Sequence, residues 1–205
     1  MHLARETVEL LVQTAIACHP SDDQQGLRAR EWTALRFLAR ANRFSRTPSA
    51  LAGYIGLTRA TATQIIKVLE ERSLVVRGPS DRDKRSVVLC VTTQGERLLS
   101  QHDPIRGVVD AIATLVTEDC VKLKDSLHAI LKRIDIPLPQ ANAGRCRDCI
   151  FLSQGRASAR PGSAIARPGS KGRQVAEFQC RRHRAPLMSG ETDLLCTSFE
   201  RVSAG

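Results

Sequence analysis

Four of the seven cysteines in this 205-residue chain, Cys146, Cys149, Cys180 and Cys196, lie beyond residue 145. The first two form a C-x-x-C pair, and the other two are spread over a tail with little else to build a core. Thiolates grouped this way in a small unit hold a metal ion or an iron–sulfur cluster. Two ligand sets are open. A C-x-x-C followed by C-x-x-H, Cys146, Cys149, Cys180 and His183, is a zinc-type arrangement and leaves Cys196 unused. Four thiolates, Cys146, Cys149, Cys180 and Cys196, leave His183 unused and suit an iron–sulfur cluster. There the basic run Arg181-Arg182-His183-Arg184 would offset the negative charge. The four-thiolate set is preferred, because it gives Cys196 a role.

The surroundings of these cysteines also ask for coordination. Residues 140–145 read as a linker, and the segment 155–173 is a low-complexity insert with Ala-Arg-Pro-Gly-Ser at both 159–163 and 166–170. The insert is basic and acid-free; its use would be added non-specific attraction to a polyanion. The apolar residues left in the tail, Ile150, Phe151, Leu152, Val175, Phe178, Leu187, Leu194, Leu195 and Phe199, are too few to fold it unaided. Coordination energy would supply what the core lacks.

Upstream elements decide what such a centre serves. Residues 3–19 form an amphipathic helix with Leu3, Val8, Leu11, Val12, Ala15 and Ile16 on one stripe, closed by Pro20. A polar loop over 20–29 follows, then a helix over about 30–43 with Trp32, Leu35, Phe37 and Leu38 inward. Thr47 caps a short helix with Pro48 at its first position, and Gly56 ends it. The next helix buries Ile65, Ile66, Val68 and Leu69 and turns Arg59, Thr61, Thr63, Gln64 and Lys67 outward, with no acid before Glu70. Two short helices across a tight glycine turn make a helix-turn-helix, and the second is suited to phosphates and base edges. Residues 74–77 and 86–92 read as paired strands around the basic tip Gly-Pro-Ser-Asp-Arg-Asp-Lys-Arg, which completes a winged helix. A helix opening at Thr93-Gln94-Gly95 is interrupted by Pro104, and a longer one spans about 105–134. Cys18, Cys90 and Cys120 fall on these patterns and are expected to be buried small hydrophobes.

The net charge of +10 favours a polyanionic partner, most simply nucleic acid. No apolar run reaches the roughly 20 residues needed to span a bilayer, and the N-terminal stretch, broken by Glu6, Glu9 and Gln13, is not a signal peptide. An odd cysteine count argues against a full disulfide framework, so a cytoplasmic protein with reduced thiols is expected. No phosphate loop or Ser/His/Asp set marks an enzyme.

The order of elements, Leu57-Thr58-Arg59-Ala60-Thr61-Ala62-Thr63, Leu69-Glu70-Glu71-Arg72-Ser73-Leu74-Val75-Val76-Arg77, Asp83-Lys84-Arg85 and Leu89-Cys90-Val91-Thr92-Thr93-Gln94-Gly95 together resemble the MarR family of bacterial regulators. The resemblance covers about residues 5–134, with Ser73 where the family has Gly and Val91 where it has Leu. It implies a homodimer with interlocked terminal helices, reading a palindrome in double-stranded DNA. The helix carrying Arg59, Thr61, Thr63, Gln64 and Lys67 would make base and phosphate contacts. Asp83 would hold the wing by pairing with Arg85, and Arg82 and Lys84 would be its tip cations. Some relatives carry a peroxide-sensing thiol near the N-terminus, a role for which Cys18, just before His19-Pro20, is the candidate beside its expected core packing. The tail is similar to the small modules in accessory subunits of benzylsuccinate synthase, which hold a 4Fe–4S cluster on four cysteines.

The sequence therefore predicts a mainly α winged helix-turn-helix with a small β wing and dimerisation helices over residues 1–139. A Cys-rich metal or cluster module over 140–205 completes it. Its expected role is that of a transcription regulator, of the repressor type, with operator affinity set by a 4Fe–4S cluster. Its tail would pack on the dimerisation helices. The alternative is a regulator answering to a small aromatic effector, with a structural zinc on the cysteines and His183.

Overall fold

In a computed structural model, residues 1–18, 25–79, 87–134, 143–154 and 176–202 are described. Seven helices lie among them: α1 (His2–Cys18), α2 (Ala29–Arg40), α3 (Pro48–Ile55), α4 (Arg59–Glu71), α5 (Thr93–His102), α6 (Arg106–Ala113) and α7 (Thr117–Ile134). The strands β1 (Val75–Pro79) and β2 (Val87–Val91) pair antiparallel from Val75↔Val91 to Pro79↔Val87. The mainly helical winged helix-turn-helix is as expected.

α2, α3 and α4 enclose the main core, in which Leu27, Trp32, Leu35, Phe37, Leu38, Leu51, Ile66 and Leu69 are buried with Leu89 of β2. Each such side chain contributes about 1.5–3 kcal/mol relative to exposure. Phe37 and Tyr54 stack at 4.2 Å between ring centroids. The helix boundaries follow local chemistry. The Thr47 hydroxyl accepts from Ala50 N with Pro48 next to it, and Gly56 closes α3 at φ 68°. Thr58 caps α4 and Thr92 caps α5 in the same way. Gly95 in the first turn of α5 sits against the chain leaving α4: a Cβ there would lie 2.4 Å from the Leu74 carbonyl oxygen.

Several expectations need correction. Leu27 of the supposed polar loop is fully buried. α2 stops at Arg40 rather than running to about 43, because Asn42 Oδ1 accepts from both Phe44 N and Ser45 N and folds residues 41–46 into a turn. The long helix over 105–134 is two helices. The Thr114 hydroxyl donates to the Ala111 carbonyl, and Glu118 and Asp119 favour a fresh N-terminus at α7. Ser73 adopts φ 56°, a left-handed conformation in which a Cβ costs energy. Cys18, Cys90 and Cys120 are partly exposed rather than buried. Gly144 and Arg145, assigned to the linker, form a strand.

α1, α6 and α7 bury no residue in this single chain. Leu3, Val8, Leu10, Val12 and Ile16, with Val109, Ile112, Leu115, Val116, Val121, Leu123, Ile130, Leu131 and Ile134, are exposed. Among the described residues no helix is long and apolar enough to cross a membrane.

The tail is made of very short strands. β3 (Gly144–Arg145) pairs antiparallel with β7 (Leu195–Cys196), and β4 (Leu152–Gln154), β5 (Phe178–Cys180) and β6 (Ala185–Leu187) form an antiparallel sheet. Its own core holds Cys146, Cys180, Cys196 and Leu187, flanked by Phe151, Leu152, Phe178 and Phe199, and by Phe44 from the turn after α2. The hydrogen-bonded seat of the tail is therefore the 41–46 turn, not the dimerisation helices as expected: Ala41 bridges Leu195 in parallel, and Asn42 N donates to the Leu195 carbonyl at 2.7 Å.

Candidate nucleic-acid interface and cysteine cavity

α4 is held by its apolar side, with Ala62, Ile65, Ile66 and Leu69 buried and Val68 half-buried. Arg59, Thr63, Gln64 and Lys67 are exposed along the opposite side, and Thr61 is half-exposed. Their commitments differ. Thr61 Oγ1 shares a 3.0 Å hydrogen bond with Thr58 Oγ1, and Thr63 Oγ1 donates to the Arg59 carbonyl at 2.8 Å. Both hydroxyls thus serve the helix itself, a use that the outward pattern did not reveal. Arg59 Nη2 donates to Ser49 Oγ at 2.5 Å, which lays the guanidinium across the start of α3. Lys67 pairs with Glu71 at 3.6 Å, an exposed i,i+4 pair that a phosphate could displace at little cost. Arg77 on β1 is held by Glu70 at 2.8 Å. Arg82, Asp83, Lys84 and Arg85, assigned to the wing tip, lie outside the described residues, as does the insert over 155–173.

Behind this surface the tail brings its four cysteines to one cavity. Cys146, Cys149, Cys180 and Cys196 line it together with Phe151, Leu152, Leu187, Arg182, His183 and Ser198. Cys146 opens a single 3-10 turn, and Cys149 N donates back to its carbonyl at 3.1 Å, which is how the C-x-x-C spacing aims both thiols to one side. Cys180 enters from the end of β5 and Cys196 from β7. Asn42, fully buried, donates through Nδ2 to Cys146 Sγ at 3.3 Å.

Cys146 and Cys196 share a hydrogen bond that splits their acidities. The Cys146 thiol is pushed up, first by donating to Cys196 and second by burial. Cys196 is pulled down to about 5, first by that bond, against burial, and further by contacts with Asn42, the Ser198 amide and His183. His183 does more than stand by: its ring stacks on Phe44 at 4.3 Å and 14° while it reaches Cys196. Among the described residues no three His, Cys, Asp or Glu side chains are gathered tightly enough to hold a single metal ion. The cavity presents four thiols beside Phe151, Leu152, Leu187 and Arg182.

A second, open groove lies against α5 and α6, lined by Gln25, Gln101, His102, Asp103, Pro104, Arg106, Gly107 and Asp110. Its walls mix polar and apolar surface, with Asp103 paired to Arg36 at 3.4 Å.

A MarR family profile matches residues 25–86, a span that includes α2, α3, α4 and β1. The organic hydroperoxide resistance transcriptional regulator of Bacillus subtilis (strain 168) is 30% identical over 78 residues, covering 38% of this chain and 53% of that protein. The transcriptional repressor MprA of Escherichia coli (strain K12) is 29% identical over 116 residues, covering 54% of this chain and 64% of that protein. The chain therefore spans between about half and just under two thirds of the length of these relatives. Among solved structures, Streptococcus pneumoniae FabT in complex with DNA is 20% identical at TM-score 0.47, covering 65% of this chain and 93% of that one. CouR from Rhodococcus jostii RHA1 bound to p-coumaroyl-CoA is 26% identical at TM-score 0.44, covering 66% of this chain and 90% of that one. Over residues 25–86 the chain is thus similar to the MarR family.

Proposed function

We propose that this chain is a DNA-binding transcriptional regulator of the repressor type, not an enzyme, and that its operator affinity is set by a 4Fe–4S cluster on Cys146, Cys149, Cys180 and Cys196. The observation that carries this reading is the convergence of all four tail cysteines on one cavity abutting the turn that leads into the helix-turn-helix. Arg59, Gln64 and Lys67 on the outer side of α4 would meet the duplex, with Arg59 and Gln64 able to make two hydrogen bonds to one base edge. The regulator would act as a homodimer, because the apolar faces of α1, α6 and α7 need a cover and a second copy supplies a matching one. It would work in the cytoplasm, where thiols stay reduced.

Four thiols are preferred to a zinc set with His183 because the His183 ring is stacked on Phe44 and supports Cys196 instead. A bound cluster would supply one-electron redox chemistry and a negatively charged sulfur cage. This chain's residues would wall it from water with Phe151, Leu152 and Leu187 and offset its charge with Arg182.

The test is purification without air, followed by iron, sulfide and zinc analysis, and DNA binding before and after oxidation on a duplex selected by the protein from a random-sequence pool. A coloured protein with matching iron and sulfide, and a shift in affinity on oxidation, is expected. A colourless protein with one zinc per chain would overturn the cluster, and unchanged binding by Arg59→Ala would overturn the role of α4.

A further inference from the structure

Asn42 is a buried polar residue in a sequence stretch, Ala-Asn-Arg-Phe-Ser-Arg, that carries no metal-ligand signature. Every polar group of its side chain is engaged, and in two directions. Nδ2 donates to Cys146 Sγ at 3.3 Å. Oδ1 accepts from Phe44 N at 3.1 Å and Ser45 N at 3.0 Å. One planar amide thus joins a sulfur of the tail to the backbone of the turn between α2 and α3.

That turn is in contact with both parts of the DNA-reading unit. The Arg46 carbonyl accepts from Leu89 N of β2 at 2.7 Å, and the next residue, Thr47, caps α3. Its other links to the tail do not touch the Cys146 sulfur. Ser45 Oγ accepts from Thr197 N at 3.0 Å, Phe44 stacks on His183, and Arg43 pairs with Glu191 at 3.5 Å. The four cysteines and the α3–α4 pair are therefore separated by one turn whose shape is fixed by Asn42.

We propose that Asn42 is the coupling residue of this protein: its amide senses the charge on the Cys146 sulfur and sets, through the Phe44–Ser45 turn, the placement of α3 and the wing strand. This rests on the reading of the four cysteines as a cluster site. Asn42 touches both Cys146 and the more acidic Cys196, and a Cys146 sulfur that no longer donates to Cys196 but is held by the cluster would bind the Asn42 N–H more firmly than the thiol of the empty site does. Because the site is buried, that difference is not screened by water. Filling or emptying the site then changes how tightly the amide plane is held, and the two backbone donors on Oδ1 follow it. Coupling is reciprocal, so operator DNA that favours one placement of α3 also changes retention of the bound group.

The experiment compares wild type, Asn42→Asp and Ser45→Ala as full-length chains, each loaded and emptied of cluster. Asn42→Asp keeps an oxygen for the Phe44 and Ser45 amides but loses the donor to sulfur. Ser45→Ala leaves the sulfur contact intact and removes the Thr197 bond. The readouts are visible spectrum and cluster reduction potential, affinity for the pool-selected duplex, and hydrogen exchange of the amides of residues 44–47. In wild type, loading should change duplex affinity about tenfold, within the range usual for coupled sites, and slow exchange at Phe44 and Ser45. Asn42→Asp should load, show a more negative potential, and bind the duplex with nearly the same affinity in both states. Ser45→Ala should keep the potential and lose part of the ratio. If Asn42→Asp loads and retains the full ratio, or if wild-type exchange at 44–47 is the same in both states, the coupling role is wrong. If Asn42→Asp cannot be loaded, the wild-type exchange comparison alone decides. A wild-type chain that takes up no iron and sulfide sinks the cluster reading, and the coupling role with it.

Discussion

Two glycines of the reading unit should respond in opposite directions to the same added methyl group. Gly95 stands where a Cβ would lie 2.4 Å from the Leu74 carbonyl oxygen and 2.7 Å from Val91 Cγ1. The carbonyl cannot simply swing away, because it accepts from Thr92 N at 3.0 Å, and Thr92 is the residue that caps α5. Gly95→Ala must therefore push α5 off the start of β1 or open the cap. Overpacking of this kind costs about 1–3 kcal/mol, and a weakened cap adds about 1 kcal/mol. The gain from replacing a helical glycine, about 0.5–1 kcal/mol, offsets only part of that. Gly53, on the exposed side of α3, has nothing within 4 Å of its added Cβ, so Gly53→Ala keeps the gain and pays no clash. Urea denaturation of both variants beside wild type, at one fixed protein concentration so that any self-association contributes equally, reads the difference directly. Gly95→Ala should lose about 1–3 kcal/mol and Gly53→Ala should gain about 0.5–1 kcal/mol. If the two variants move in the same direction, the close approach of α5 to Leu74 is not as described.

Three further outcomes are expected. Ser73→Gly relieves a left-handed residue whose side chain is exposed, and should raise stability by about 1 kcal/mol, measured as a rise in Tm of about 2–4 °C. Leu131→Glu places a charge on the exposed apolar side of α7 and should weaken self-association by more than about 30-fold in sedimentation, as loss of a central anchor does; an unchanged dimer would show that the faces of α1, α6 and α7 are covered otherwise. Cys180→Ser should abolish uptake of iron and sulfide during anaerobic reconstitution, whereas Cys90→Ser, on β2 and outside the cavity, should not; equal uptake by both would remove Cys180 from the site.

What could be read in the residues and what could not divides along contact range. The ends of α3 were legible because Thr47, Pro48 and Gly56 act on backbone groups a few residues away. The amphipathic stripe of α4 was legible for the same reason. The break between α6 and α7 was written in Thr114 and in Glu118 and Asp119, signals that a continuous apolar pattern overrode. The grouping of the four cysteines followed from donor chemistry, but their seat did not. Asn42 and Cys146 are 104 residues apart, and nothing periodic or compositional connects them. The hydroxyls of Thr61 and Thr63 point outward in the pattern and are spent locally in the fold, a distinction that only geometry makes.

That local use of two hydroxyls bears on how much sequence information an operator could carry. A duplex lying on α4 would meet two side chains able to form paired bonds to a base edge, Arg59 and Gln64. Two such half-sites specify on the order of four base pairs by this route, a combination that recurs by chance every few hundred base pairs, so genomic competition would be severe. The discrimination would have to come from the distance and phasing between half-sites and from the deformability of the DNA between them. A regulator with a short vocabulary of that kind is selective through its ruler rather than its alphabet.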